Sequence, residues 1–139
     1  MLLCYNFAMN IQEHADHWKH LASRDWKTAR GLFDIKRYDA CLFFCHLTLE
    51  KLIKGLVVDH IKKEAPFIHD LERLAVIAGV SLSLDAINDL KSISAFNIAG
   101  RYSDYKFSFY KKCTRSYTQN YLSKTGALIQ CLQKKYQKR

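Results

Sequence analysis

The sequence predicts an all-α protein, folded as one antiparallel up-and-down bundle of four to five helices. Apolar residues recur at helical spacing over several long stretches. Five glycines and a single proline leave few places for turns, which favours long helices over many short strands. A chain of 139 residues is the size of one domain. We expect residues 1–9 to be disordered or upstream of the natural start, and residues 10–139 to form the single helical domain.

Two long helices are predicted before Pro66. The first carries an apolar stripe at three- and four-residue spacing: Ile11, Ala15, Trp18, Ala22, Trp26, Ala29 and Phe33. The second, from about Tyr38 to Lys62, is apolar around most of its circumference and is expected to be the most buried helix. Its polar exceptions fall within an arc of about 80°: Asp39, His46, Glu50 and Lys54.

The second half of the chain contains shorter segments before a last long helix. Pro66 interrupts the periodicity, which "IHDLERLAVIAG" resumes as a short helix closed by Gly79. "SLSLDAINDLKSISAF" predicts another helix with Ser83 as its N-cap. Residues 96–107, "FNIAGRYSDYKF", stop the helical rhythm. The last helix is predicted from about Thr114 to Tyr136 and ends in a basic tail.

Charge and cysteine content restrict the partners and the compartment. The net charge of +9 favours a polyanion or an acidic protein as partner. Five cysteines without framework spacing indicate free thiols in a reducing compartment, and Cys41 and Cys45 are expected to be packed core thiols. No stretch approaches the roughly 18 apolar residues of a membrane span. We therefore expect a cytoplasmic protein with no membrane partner.

Generic enzyme and metal motifs are missing from the sequence. There is no Walker loop, dinucleotide fingerprint or nucleophile elbow. His14, His17 and His20 recur at spacing of three, but no further ligand is marked, so we interpret them as a solvated face. His46 and Glu50 lack the Glu-x-x-His pairs of a dimetal bundle. We expect neither a metal nor a cofactor.

The block "RYDACLFFCHLTLEKLIKGLVVDHIKKEAPFIHDLERL" resembles the HEPN family, small helical-bundle domains of prokaryotes with some eukaryotic relatives. "GRYSDY" is similar to the Arg-Tyr-Pro stretch late in many members, with Ser103 in place of the proline. The resemblance implies an antiparallel bundle that commonly dimerises. The matching residues are Asp25, Ala29, Tyr38, Glu50, Lys51, Lys54, His69, Asp70 and Leu71.

The resemblance also implies two roles. Many members are ribonuclease toxins whose site is an arginine, four to six residues and then a histidine, assembled across a dimer. Counting from Arg101, that spacing meets Lys106, Phe107 and Ser108, and no histidine follows His69 in the chain. Other members accompany a minimal nucleotidyltransferase in toxin–antitoxin-like pairs, and some are thought to bind nucleotides.

Our leading hypothesis is therefore a non-catalytic, homodimeric HEPN-type binding module that works with such a nucleotidyltransferase and binds a nucleotide. The alternatives are a diverged, metal-independent ribonuclease acting on RNA through Arg101, and a helical adaptor without a ligand. The expected nucleotide- or partner-binding residues are Arg101, Tyr102, Tyr105, His46, Glu50 and Lys54.

Each part of this site has a structural alternative. Arg101 suits a phosphate ligand, with Gly100 letting the backbone turn the side chain inward. It would otherwise tie the last loop to the bundle through carbonyls or an acidic side chain, with both tyrosines in the core. The polar stripe would line a ligand cleft, or else be a solvated helix edge satisfied by pairs such as Glu50 with Lys54.

Overall fold

The structure is a computed structural model that describes residues 10–102 and 104–137. The described chain is entirely helical apart from turns and loops, which confirms the all-α class and the helical bundle. The expectations for residues 1–9 and for Ser103 concern parts outside the described residues. In chain order the helices are α1 (Ile11–Asp34), α2 (Tyr38–Ile61), α3 (Leu71–Ile77), α4 (Leu84–Ser94), α5 (Phe96–Ala99), α6 (Ser108–Lys112) and α7 (Arg115–Gln137).

Helix α2 is the centre of the bundle, as its apolar composition predicts. It packs against α1 along its length and also contacts α3, α5 and α7. Its residues Leu42, Leu49 and Ile53 are fully buried. Gly55 allows α7 to approach closely, because a Cβ there would collide with the side chain of Tyr136. The Tyr136 hydroxyl donates a hydrogen bond to the carbonyl oxygen of Leu52 at 2.7 Å, which joins the last helix to the centre.

Side-chain caps determine where α1, α3 and α4 begin. Asn10 and Asp70 accept hydrogen bonds from backbone amides at the starts of α1 and α3. The predicted cap of α4 is confirmed, since Ser83 Oγ accepts from the Ala86 amide at 3.1 Å. Gly79 follows α3 with a positive φ of 69°, as its predicted closing role requires. The cap at Asp70 places His69 immediately before a helix start.

Residues 96–107 are only partly irregular. Their first four residues form α5, and the chain then turns before α6 begins. The predicted role of Gly100 in the turn is wrong, because its φ of −77° is open to any residue. The glycine is required instead for close approach, since a Cβ there would lie 2.8 Å from Phe43 Cβ. Segment 96–107 is thus held directly against α2.

The core thiols agree with the sequence prediction. Cys41 and Cys45 are buried and hydrogen-bonded to each other. This bond lowers the pKa of Cys41 and raises that of Cys45, which burial raises further. Burial also raises the pKa of Cys113 to about 12.

Within the described ranges, no helix combines the length and the apolar character needed to cross a bilayer.

Candidate functional site

Three of the predicted site residues form a buried ionic cluster on α2. His46 is completely buried, and Glu50 and Lys54 are 6% and 5% exposed. Glu50 Oε2 accepts a hydrogen bond from Lys54 Nζ at 3.1 Å, so the predicted pairing of these two residues is confirmed. The interpretation of the stripe as a solvated helix edge is wrong. The loop before α3 and the helix α1 lie over it and exclude water.

The fourth member of the cluster is His69, which comes from the loop before α3. Its Nδ1 donates a hydrogen bond to Glu50 Oε1 at 3.0 Å. Its backbone carbonyl accepts a second bond from His46 Nε2 at 2.9 Å. Both the ring and the main chain of His69 are therefore fixed by residues of α2. The ring remains in contact with solvent, since 48% of the side chain is exposed.

His46 acts in this cluster as a neutral hydrogen-bond donor. Burial is the main cause that lowers its pKa; the nearby charges of His69 and Arg101 lower it further, against opposing effects of the His69 carbonyl and Glu50. Because the proton on Nε2 is donated in the hydrogen bond to the His69 carbonyl, Nδ1 is the unprotonated nitrogen of the neutral ring. That buried Nδ1 has no hydrogen-bond partner among the described residues.

Lys54 is enclosed between the cluster and helix α1. Its Nζ lies 5.6 Å from the centre of the Trp18 ring, so the ammonium contacts an aromatic face as well as the Glu50 carboxylate. A buried ion pair of this kind needs both partners, because either charge alone would be desolvated without compensation. The pair therefore keeps the Glu50 carboxylate in place beneath His69.

Arg101 lies on the same side of α2 as His46. Its guanidinium carbon is 5.5 Å from the centre of the Phe43 ring, and Phe43 precedes His46 by three residues on the helix. The side chain is exposed and forms no hydrogen bond or ion pair with the described residues. The predicted alternative of Arg101 as a hydrogen-bonded tie between loop and bundle is not found in the described part of the chain.

The two predicted tyrosines lie in solvent. Tyr102 is 71% and Tyr105 is 86% exposed, so the alternative that packs both in the core is wrong. Lys106 Nζ lies 5.7 Å from the centre of the Tyr105 ring. The segment after Gly100 thus presents basic and aromatic groups together at the surface.

The remaining polar candidates lie apart from the cluster. Asp39, the first member of the stripe, lies at the beginning of α2 beside Arg37 and α6. His17 and His20 are exposed on α1. Among residues 10–102 and 104–137 there is no group of three or more histidine, cysteine or carboxylate side chains that would hold a metal ion.

Sequence reasoning did not assign His69 to the site, although this residue appears in the His-Asp-Leu motif of the family resemblance. Its pairing with Glu50 crosses 19 positions of the chain and a loop, which periodicity does not report. The one available signal is its position before Asp70, the cap of α3. Trp18 and Phe43 were likewise missed as site residues, because aromatic residues at helical spacing are indistinguishable from core.

Comparison with known proteins supports the fold and the resemblance. The family model for the HEPN domain matches residues 15–135, which is most of the chain. No curated protein and no solved structure matches significantly. The matched range includes every residue of the buried cluster and the segment that carries Arg101. The chain belongs to the HEPN domain family.

Proposed function

We propose that this protein is a non-catalytic HEPN-type binding module that holds a nucleotide through the segment containing Arg101. The observation that carries the proposal is the exposed guanidinium of Arg101 on the Phe43 ring, in a segment that also exposes Tyr102 and Tyr105. Arg101, Tyr102 and Tyr105 are the contact residues. His46, Glu50 and Lys54 are buried, so we assign them a supporting role and not direct contact with the ligand.

The chemistry of this surface suits a nucleotide. A guanidinium offers a planar set of donors that matches phosphate oxygens, and here those donors are not used by described side chains. The exposed rings of Tyr102 and Tyr105 offer faces for a base, and stacking on an aromatic side chain is worth about 1–3 kcal/mol. The ring of His69 adds a fixed polar group, since Glu50 holds it through Nδ1.

The proposed protein partner is a minimal nucleotidyltransferase in a toxin–antitoxin-like pair. The net charge of +9 supports association with an acidic surface or with the nucleotide that the partner handles. We further propose a homodimer, supported by exposed large apolar side chains on several elements, including Phe67, Val76 and Leu84. Light scattering that gives a monomer mass over a wide concentration range would reject the dimer.

The test of nucleotide binding compares Arg101→Ala with wild type, using a ribose-labelled fluorescent ATP as probe. We expect a loss of at least about tenfold in affinity, or about 1.4 kcal/mol. Lys63→Ala is the matched control, because this exposed lysine lies just after the C-terminal end of α2 and has no ion pair among the described residues. Thermal melts of the three proteins must agree. Equal affinities for Arg101→Ala and wild type, or no binding by either, would reject the proposal and favour a ligand-free adaptor.

One observation favours the second candidate, a diverged ribonuclease. Arg101 is close enough to His46 to lower its pKa, and the exposed His69 ring is oriented by the Glu50 carboxylate. An imidazole held by a carboxylate is the usual arrangement of a general base. Arginine and histidine thus lie on one side of α2, although the family spacing between them is unfilled.

A further inference from the structure

A cavity lies at the first residue of the polar stripe, Asp39, where α2 begins. The cavity measures about 420 Å³, within the range of small-molecule sites. Its aromatic wall is formed by Phe107, Phe109 and Tyr110 from the start of α6. Arg101, the contact residue of the proposed nucleotide surface, does not line it. The cavity adjoins that surface, because Gly100 lines it and directly precedes Arg101.

Two of the three residues of the aromatic wall are largely exposed to solvent. Phe107 is 56% and Tyr110 is 64% exposed, whereas Phe109 packs on the ring of Phe96 with centroids 5.6 Å apart. Phe107 also has a left-handed backbone with φ of 55°, which is uncommon for a bulky residue. The inner ring thus anchors the wall to the core, and the two outer rings leave apolar area open to a ligand.

The rim of the cavity carries unpaired positive charge. Arg37 and Lys111 are exposed, and neither side chain forms an ion pair or hydrogen bond with the described residues. Asp39 is the acidic group of the lining, so the three side chains together carry a net charge of +1. No side chain caps the N-terminus of α2 at Arg37, and the first-turn amides of this 24-residue helix add to the positive potential. The rim favours a ligand with one negative charge.

We infer that this cavity binds a small aromatic monoanion. The ring system lies against Phe107 and Tyr110, and its acidic group pairs with Arg37 and Lys111. Asp39 accepts a hydrogen bond from an N–H or O–H of the ligand. The volume of about 420 Å³ accommodates two fused rings with two substituents, and an aromatic face on aromatic walls adds to the apolar area that is buried. The inference does not depend on nucleotide binding at Arg101.

The test uses two dyes that differ in one group. Anilinonaphthalene sulfonate carries fused rings, an N–H and one negative charge, and N-phenylnaphthylamine is the same skeleton without the sulfonate. Both are titrated by fluorescence into the full chain. We expect saturable binding of the sulfonate dye and a loss of about threefold in its affinity for Lys111→Ala. Arg37→Ala combined with Lys111→Ala is expected to lose about tenfold in affinity for the sulfonate dye but to bind the neutral dye as wild type does.

Two further variants separate charge from ring contact. Tyr110→Ala is expected to weaken the binding of both dyes to a similar degree, because it removes an aromatic ring from the cavity wall and no charge. Lys63→Ala changes the net charge by the same amount as Lys111→Ala but lies elsewhere, so it should bind both dyes as wild type does. Lys111→Gln serves if the double variant melts early. The inference is overturned if wild type shows no saturable binding of the sulfonate dye. It is also overturned if the charge variants weaken the binding of both dyes equally, or if they bind the sulfonate dye with the affinity of wild type.

Discussion

The imidazole of His69 donates to the carboxylate of Glu50 at 3.0 Å, across 19 positions of the chain. The other oxygen of the same carboxylate accepts from Lys54 at 3.1 Å. Both oxygens of one buried carboxylate are thereby used, one for charge balance and one to orient an exposed ring. In the sequence this stripe resembles a series of i, i+4 pairs within one helix. In the fold, His46 and Glu50 of the stripe bind the loop before α3 through His69.

The first prediction concerns the buried ion pair. Glu50→Gln removes the negative charge but keeps the shape, so the Lys54 ammonium stays buried without its counter-charge. We expect a loss of about 3 kcal/mol in the free energy of unfolding, measured by urea denaturation. Glu64→Gln is the matched control, because Glu64 is exposed, and it should stay within about 0.5 kcal/mol of wild type. Equal effects of the two substitutions would contradict the structural role of Glu50.

The second prediction concerns pH. Since the pKa of His46 in the folded state is lowered from 6.5, the unfolded chain binds more protons at this position below that pH. The free energy of unfolding should therefore fall as pH decreases below about 6.5, until the folded-state pKa is also passed, by at most about 1.4 kcal/mol per pH unit. Above about pH 7.5 the residue is neutral in both states and has no such effect.

His46→Gln isolates this contribution, because its amide keeps a donor for the His69 carbonyl but does not titrate. Glu50, His69 and Arg101 lie around His46 and are present in both proteins, so the difference in pH dependence belongs to position 46. Urea unfolding at several pH values between about 7.5 and about 5.5 is the measurement. His17→Gln, at an exposed position, should keep the wild-type slope. A variant at position 46 with that same slope would show that His46 does not titrate as described.

The sequence predicts the helices well because their stability comes from apolar stripes of known period. Ser83 and Gly79 were identified since caps act within one turn, which is a local effect. The burial of the polar stripe was not predictable from the same pattern. Whether the stripe meets water depends on Trp18, which contacts Lys54, and on the loop at His69, which contacts His46; these contacts cross long distances in the chain.

Gly100 shows the same limit at a single residue. A glycine in a polar, aromatic stretch suggests a turn with positive φ, yet the observed φ is −77°. The need for glycine comes from the Phe43 side chain on α2 and from the Phe96 carbonyl at the start of α5. Local sequence reports backbone freedom, whereas close approach between elements is visible only in the fold.

The third prediction uses two glycines as a pair. Gly100→Ala should destabilise the protein by about 1–3 kcal/mol, because the added Cβ lies 2.8 Å from both Phe43 Cβ and the Phe96 oxygen. Gly31→Ala should instead stabilise it by about 0.5–1 kcal/mol, because its Cβ meets nothing within 4 Å and the site is inside a helix. Thermal melting followed by circular dichroism measures both. A neutral Gly100→Ala would mean that the segment is not held against α2.

The fourth prediction addresses catalysis. Purified protein should not cleave single-stranded RNA above background, because the spacing from Arg101 places Lys106, Phe107 and Ser108 where the family's ribonucleases have histidine. The oriented ring of His69 is the group that would act in place of that histidine, since it is exposed and held by Glu50. Cleavage assays therefore need wild type, Arg101→Ala, His69→Gln and the distant control Lys63→Ala. Activity that is lost in the first two variants but kept in the control, with unchanged melting temperatures, would contradict the non-catalytic assignment and identify Arg101 and His69 as the working pair. Activity at an equal level in all four proteins would indicate a contaminating nuclease and agree with a non-catalytic module.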